Sequence, residues 1–435
     1  MQSVRKAYLC HMRQLVQITP LPHGITVASE RMPGAYSVSV GLWVCVGSAN
    51  EQPSTNGVSH FFEHMVFKGT KNRSALQIAH EIEERGGNLN AYTTREQTCF
   101  YARTVHDDFA LGLDTICDLA MNPRLEQAEI DKERKVIIEE IRSYEDSPDE
   151  LAHDLFCARH FGKTGLSYPI TGTAKTVKLV GQKELQAHQR DVLRKHPIFI
   201  VASGNVNHEE LVGQVREMLA AKRGGAEEPM RHYAGHGGGS ILKRKDVSQS
   251  NVVAGTSIQS RAKGHQRLSL TLFNILFGDG MSSRLFQKVR EDHALAYSIY
   301  SAVDNFQGCR SFNIALGTDP KRQQKALDLI HGEIRTLLKD GLRPGELERA
   351  KTSVLGGIKL GLDSPSNRMN RLARQLIRSG TFTPFSALQK ELAQVTPQDV
   401  MAVVEEIFMQ GTWSAAAVLP KEAPTLDCSP LLSFR

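Results

Sequence analysis

Two histidines four positions apart, with a glutamate between them, stand in the run His60-Phe61-Phe62-Glu63-His64. On a helix, residues i and i+4 share a face one turn apart, so both imidazoles can meet one metal ion, and Glu63 at i+3 reaches the open side of that ion. Two nitrogen ligands do not complete a hydrolytic zinc centre, which takes three protein ligands and keeps a further position for water. A carboxylate from another segment suits the pattern of two His and one Glu. The neighbours Phe61, Phe62, Met65, Val66 and Phe67 make this helix core-like, so its polar groups are costly to bury unless a metal or hydrogen bonds satisfy them.

The helical pattern over 127–144 carries the candidate acids Glu133, Glu139 and Glu140. Glu133 and Glu140 are two turns apart and share a face, whereas Glu139 points about 100° away. Periodicity leaves Glu133 and Glu140 as equal candidates. Two other patterns carry less. Gly278-Asp-Gly-Met-Ser-Ser lacks the lysine of a phosphate-binding loop and reads as a turn. His232 and His236 are also four apart, but they sit in a Gly-rich stretch with no helix to align them, and they read as solvent-exposed.

The elements that must position these residues follow from hydrophobic periodicity. Segments 24–30 and 36–46 read as strands, the second with Val38, Val40, Leu42 and Val44 on one side. Helical patterns follow over 57–67, 75–85, 106–122 and 127–144; Ser74 and Gln77 form a capping box, and Gly86-Gly87 is a stop. Strands at 88–94 and 98–104 lie between the second and third of these. Helices at 148–160 and 181–193, a strand at 197–202 and a helix at 208–221 complete a first unit. Residues 223–240, rich in Gly, Pro and charge, read as a linker. A similar order then repeats: a strand at 251–258, helices at 266–276 and 282–291, strands at 296–303 and 308–316, helices at 320–339, 344–361, 365–378 and 397–408, and a strand at 412–418. The expectation is an α+β chain with an N-terminal metal-binding domain over 1–222, a linker over 223–240 and a C-terminal domain of similar fold over 241–435.

Composition narrows the function classes. Forty per cent apolar and 23 % charged residues over 435, with 35 Gly and 17 Pro dispersed, exclude a disordered, collagenous or coiled-coil protein. Fifty-three Lys+Arg against 47 Asp+Glu give +6, too dilute an excess for a nucleic-acid binder. No apolar run approaches the roughly 18 residues of a membrane span. Seven widely spaced cysteines without a CxxC pair read as reduced thiols. Arg5, Lys6 and Arg13 precede the first acid, Glu30, as in an organelle presequence, but Ser and Arg are sparse. A cytoplasmic chain is expected, with the mitochondrial matrix as the alternative and processing of residues 1–17 left open.

The run Gly57-Val-Ser-His60-Phe-Phe-Glu-His64-Met-Val-Phe-Lys-Gly-Thr70 resembles the inverzincin peptidases of the pitrilysin, insulin-degrading enzyme and mitochondrial processing peptidase group. The likeness extends to Gly86–Glu96, Glu133–Glu140, Tyr144–Glu150 and Tyr168–Gly172, and in the second half to Gly278–Phe286, Val289–Ser298 and Ala315–Asp319. It covers nearly the whole chain after about residue 18, with the two-domain length of the bacterial processing-peptidase-like branch. The resemblance implies two similar α/β-roll-like domains, each a mixed sheet with helices on one face, facing each other across a cavity. It implies one Zn2+ per chain on His60, His64 and Glu140, which settles the choice between the two acids, and it places Glu133 behind the ligands as an orienting group. Glu63 is then the general base. Asn90 and Ala91 match the edge strand that holds an extended peptide, and Arg290 and Tyr297 match a second-domain pair that closes over the scissile bond. The implied activity is that of a zinc endopeptidase on short or unfolded peptides, as a homodimer or as the active half of a heterodimer. The group also includes non-catalytic partner subunits that have lost the zinc motif; here the motif is complete.

Overall fold

The computed structural model describes residues 15–220, 233–235, 237–259 and 266–434. The cationic N-terminal segment, most of the expected linker, and His232 and His236 lie outside the described residues.

Two compact units divide the chain. The first takes Met1–Ile141, Pro169–Met230 and Lys359–Phe382; the second takes Arg142–Tyr168, Arg231–Ile358 and Thr383–Arg435. The first holds a six-stranded sheet of β1 (Val16–Leu21), β2 (Ile25–Arg31), β3 (Ser37–Val44), β4 (Asn88–Thr93), β5 (Thr98–Val105) and β6 (Ile198–Gly204) in the order β1-β2-β6-β3-β5-β4. Its helices include α1 (Val58–Val66), α2 (Ala75–Glu83), α3 (Phe109–Met121) and most of α4 (Gln127–Asp146). Helix α5 (Pro148–Phe161) belongs to the second unit, while α6 (Gln182–Lys195) and α7 (His208–Val215) return to the first.

The second unit holds β7 (Gly239–Lys245), β8 (Ser250–Gln259), β9 (Ser298–Asn305), β10 (Cys309–Thr318) and β11 (Ser414–Pro420) in the order β7-β11-β8-β10-β9. Between them lie α8 (Gln266–Phe277), α9 (Gln323–Asp340) and α10 (Glu346–Gly361); α11 (Pro365–Ser379) belongs to the first unit, and α12 (Phe385–Gln394) and α13 (Pro397–Glu405) precede β11. Setting β1 aside, the two sheets share one strand order. In each, the first strand runs parallel to the last and the remaining pairs are antiparallel. The repeat expected from element order is a repeat of topology, and the chain is an α+β protein of two mixed sheets with their helices.

Why each sheet is buried on both faces explains how the units are composed. On β3, Val38, Val40, Leu42 and Val44 face the core formed with α1, α3 and α4, as the alternation predicts. Ser39, Gly41 and Trp43 point the other way, and the Trp43 ring lies over Gly41, where a Cβ would meet it at 2.5 Å. This second face also carries Cys45, Cys99 and Phe199, and it is covered by Met369, Leu372, Ala373, Leu376 and Ile377 of α11. Each large side chain so buried contributes about 1.5–3 kcal/mol. In the second unit, α5 covers the corresponding face, packing on β8 and β11. Its His160 is fully buried between Ser257 Oγ of β8 at 2.9 Å and Ser414 Oγ of β11 at 3.1 Å.

The contiguous domains 1–222 and 241–435 are therefore corrected: residues 142–168 belong with the second sheet and 359–382 with the first. The cause is burial, since an amphipathic helix fixes which of its faces is apolar but not which sheet will cover it. Hydrophobic periodicity does not reveal strands β1 and β7, both at sheet edges, or helix α12, and the end of the expected linker is the start of β7.

Candidate metal centre

Helix α1 presents His60, Glu63 and His64 because its other positions are claimed by the core. Val58, Phe61, Phe62, Met65 and Val66 are all buried, which turns His60, Glu63 and His64 toward α4. On α4 the buried stripe Ile130, Ile137 and Ile141 anchors the helix. Glu133 and Glu140 lie beside that stripe, while Glu139 is exposed.

The geometry is that of a cage for one small ion. His60 Nε2 lies 3.5 Å from Glu140 Oε1, and His64 Nε2 lies 3.4 Å from Glu140 Oε2. The three side chains offer ligand atoms within 4.8 Å of one another. Ligands at about 2.0–2.2 Å in a tetrahedral shell are about 3.3–3.6 Å apart, whereas a direct charge-assisted hydrogen bond would be about 2.7–2.9 Å. The separations fit an ion between the groups better than contact between them. On the same helix Glu63 Oε2 is buried without a hydrogen-bond partner, and so is His60 Nδ1, the ring nitrogen not facing Glu140. Burial opposes charge on Glu140, but the two imidazoles outweigh it and hold its carboxyl down at about 2. For His64 burial favours the neutral ring, and Glu140 and Glu133 overcome this to raise its pKa.

Behind the cage, His64 Nδ1 lies 2.9 Å from Glu133 Oε1, and the other oxygen of Glu133 accepts from Lys68 Nζ at 2.7 Å. That chain orients the ring so that Nε2 faces Glu140, the usual work of a carboxylate behind a metal-bound imidazole. Sequence reading gives Lys68 no role, although it lies within the resembling run. It also overlooks Glu51, whose signal is a helix opening on glycine with no side-chain acceptor at its cap.

Of the remaining expected residues, Asn90 and Ala91 lie on β4, which packs against α1 and is the last strand of its sheet. The Ala91 N–H is bonded to Asn90 Oδ1 at 2.8 Å rather than to β5, so it points to the free edge, where an added strand would pair. Arg290 and Tyr297 come together in the second unit. The guanidinium lies 4.7 Å from the Phe286 ring centroid and 6.0 Å from that of Tyr297, and Tyr297 is 75 % exposed. A tyrosine held in place by packing at a strand start would be covered. The six described cysteines are buried, and no helix among the described residues is long and apolar enough to cross a membrane.

Comparison with known proteins identifies the family. Residues 26–174 match the family described as insulinase (peptidase family M16), and residues 180–354 match the one described as the peptidase M16 inactive domain. An uncharacterized zinc protease of Streptomyces coelicolor is 35 % identical over 402 residues, covering 90 % of this chain and 87 % of its own. The uncharacterized zinc protease YmxG of Bacillus subtilis is 32 % identical, with 89 % and 94 % covered. Among solved structures, a protease from Helicobacter pylori aligns with a TM-score of 0.86 at 20 % identity, over 93 % of this chain and 99 % of that one. A peptidase M16 inactive domain from Pseudomonas fluorescens aligns at 0.84 and 19 %, over 94 % and 99 %. The structures show a shared fold, and the sequence matches span both halves of the chain, which thus belongs to the M16 peptidase family, that of insulinase.

Proposed function

We propose that the protein is a zinc metalloendopeptidase, cytoplasmic in a bacterium, that hydrolyses peptide bonds in short or unfolded peptides with one zinc held by His60, His64 and Glu140. The observation that carries this is the spacing of 3.4–3.5 Å between the two imidazoles and the Glu140 carboxylate, beside the buried and unpartnered Glu63 Oε2. The relatives named as zinc proteases support the same reading. When bound, zinc acts as a Lewis acid and lowers the pKa of water to about 7.

The chain's own residues do the rest. Glu63 accepts a proton from the attacking water as the new C–O bond forms, then passes it to the leaving nitrogen as the C–N bond breaks. Glu133, itself held by Lys68, keeps the His64 ring oriented. The free edge of β4 at Asn90 and Ala91 pairs with the substrate main chain, which sets its register with little demand on side chains. Metal analysis of the purified protein, with cleavage of a quenched fluorescent peptide before and after chelation, tests the proposal. About one zinc per chain and activity lost on chelation and restored by zinc are expected. Cleavage that survives complete metal removal would overturn the reading.

The reading extends to the second unit through Tyr297. As a donor to the oxyanion forming on the scissile carbonyl, its hydroxyl acts mainly in the transition state. Tyr297→Phe is expected to lower kcat by roughly 10 to 10³-fold, with zinc content and peptide affinity nearly unchanged. Arg290→Ala should also weaken affinity, because a guanidinium can hold a peptide carbonyl in the ground state. An intact kcat in Tyr297→Phe, or a fall in thermal stability along with activity, would make the hydroxyl structural.

A further inference from the structure

Helix α1 has an unusual start. Its N-cap is Gly57, in the left-handed region at φ 97°, and no side chain at that position accepts a hydrogen bond. The glycine is imposed by a neighbour: a Cβ there would lie 2.6 Å from the Thr171 carbonyl oxygen, and a Cβ on Gly172 would lie 2.4 Å from that of Asn56. Two backbones thus pass too close for any side chain, and the usual Ser, Thr or Asp cap is excluded. The first N–H groups of the helix still need acceptors.

Glu51 supplies them from outside the helix. Its Oε2 accepts from the Gly57 N–H at 2.7 Å and from Asn56 Nδ2 at 2.8 Å, and its Oε1 accepts from the Ser59 N–H at 2.7 Å. The residue is only 8 % exposed. Asn56 Nδ2 also donates to the Pro169 carbonyl at 3.0 Å, which ties the cap to the Pro169–Gly172 turn. A carboxylate at a helix N-terminus is favoured by the aligned peptide dipoles.

We propose that Glu51 is a positioning residue for the metal centre: by capping α1 it keeps His60 in ligating geometry. His60 is the third residue of α1, within the first turn, whereas His64 lies one turn further in. An uncapped first turn frays, so losing the Glu51 bonds releases His60 from the cage before His64. This rests on the metal-centre reading above and adds a residue and a route to it.

The test compares wild type, Glu51→Gln, Asn56→Ala, His60→Ala and, as a control, Thr396→Ala. Thr396 caps α13 in the second unit, accepting from the Asp399 N–H at 3.2 Å, and its loss lowers stability without touching α1. Readouts are thermal midpoint, zinc affinity by chelator competition, and the visible spectrum of the Co2+-loaded protein, which reports ligand number and geometry. Glu51→Gln is expected to weaken zinc roughly 10- to 100-fold and to move the Co2+ spectrum toward that of His60→Ala. Thr396→Ala should lower the midpoint and leave affinity and spectrum unchanged. If Glu51→Gln does not fold, Asn56→Ala, which removes the bonds to Glu51 Oε2 and the Pro169 carbonyl and leaves the carboxylate on the Gly57 and Ser59 N–H groups, decides by a smaller shift in the same direction. A Glu51 or Asn56 variant with a lowered midpoint but wild-type affinity and spectrum would overturn the proposal. Wild type that takes up neither Zn2+ nor Co2+ would instead overturn the metal reading itself.

Discussion

Alanine at His60, His64 or Glu140 is expected to leave the chain without stoichiometric zinc and without peptidase activity. Each side chain donates one bond to a cage of three protein ligands, and structural zinc sites with four ligands bind with about 10–16 kcal/mol in all. Loss of one ligand therefore costs roughly 10²- to 10³-fold in affinity, enough to empty the site at working zinc concentrations. Zinc content after dialysis, measured on folded protein, checks this. Glu139→Ala is the internal control, because that carboxylate is exposed on the other side of α4. Full zinc in all three ligand variants would sink the assignment, and zinc loss in Glu139→Ala but not in Glu140→Ala would show that Glu139 is the ligand.

Glu63→Gln separates binding from chemistry. The amide keeps the shape of the side chain and leaves all three ligands in place, so zinc content and thermal midpoint should stay at wild-type values. It has no carboxylate to take a proton from water, and turnover should fall 10²-fold or more, the scale of a lost general base. The Oε2 atom that would do this work is buried without a partner, so the change breaks no hydrogen bond at that atom. The same variant should bind peptide normally and is the form in which to capture a complex. Turnover within a few-fold of wild type would mean that another base serves.

Much of the centre is legible in the sequence because its chemistry is local. The i, i+4 spacing of His60 and His64 and the apolar residues around them describe one helix face, and the face observed is the one expected. The 3.6-residue period narrows the third ligand to Glu133 or Glu140 and can go no further, since both lie on the face that meets α1. Only the family resemblance and the contacts separate them: Glu140 faces both Nε2 atoms, and Glu133 faces Nδ1 and Lys68. Glu51 cannot be reached from periodicity, because its role depends on the Thr171 carbonyl, 114 positions past Gly57 in the chain (171 − 57), which excludes an ordinary cap. The addresses of α5 and α11 are hidden for a related reason. Ser39, Gly41 and Trp43 lie on the other side of β3 from its alternating apolar residues, and nothing nearby in sequence announces that Leu372 and Leu376 will cover that side.

The exchange of α5 and α11 also sets a timetable for synthesis. Strand β6, the last of the first sheet to be made, ends at Gly204, but the helix that covers Trp43, Phe199 and Val201 ends at Ser379. At about 5–20 residues per second, roughly 175 residues of translation leave that apolar face open for about 9 to 35 s. A first sheet formed during synthesis would expose that face until α11 is made, and a chaperone or provisional contacts would have to cover it in the interval. A chain truncated after residue 222 and released would have a sheet with one bare face, prone to aggregation even though it holds every residue of the proposed metal cage.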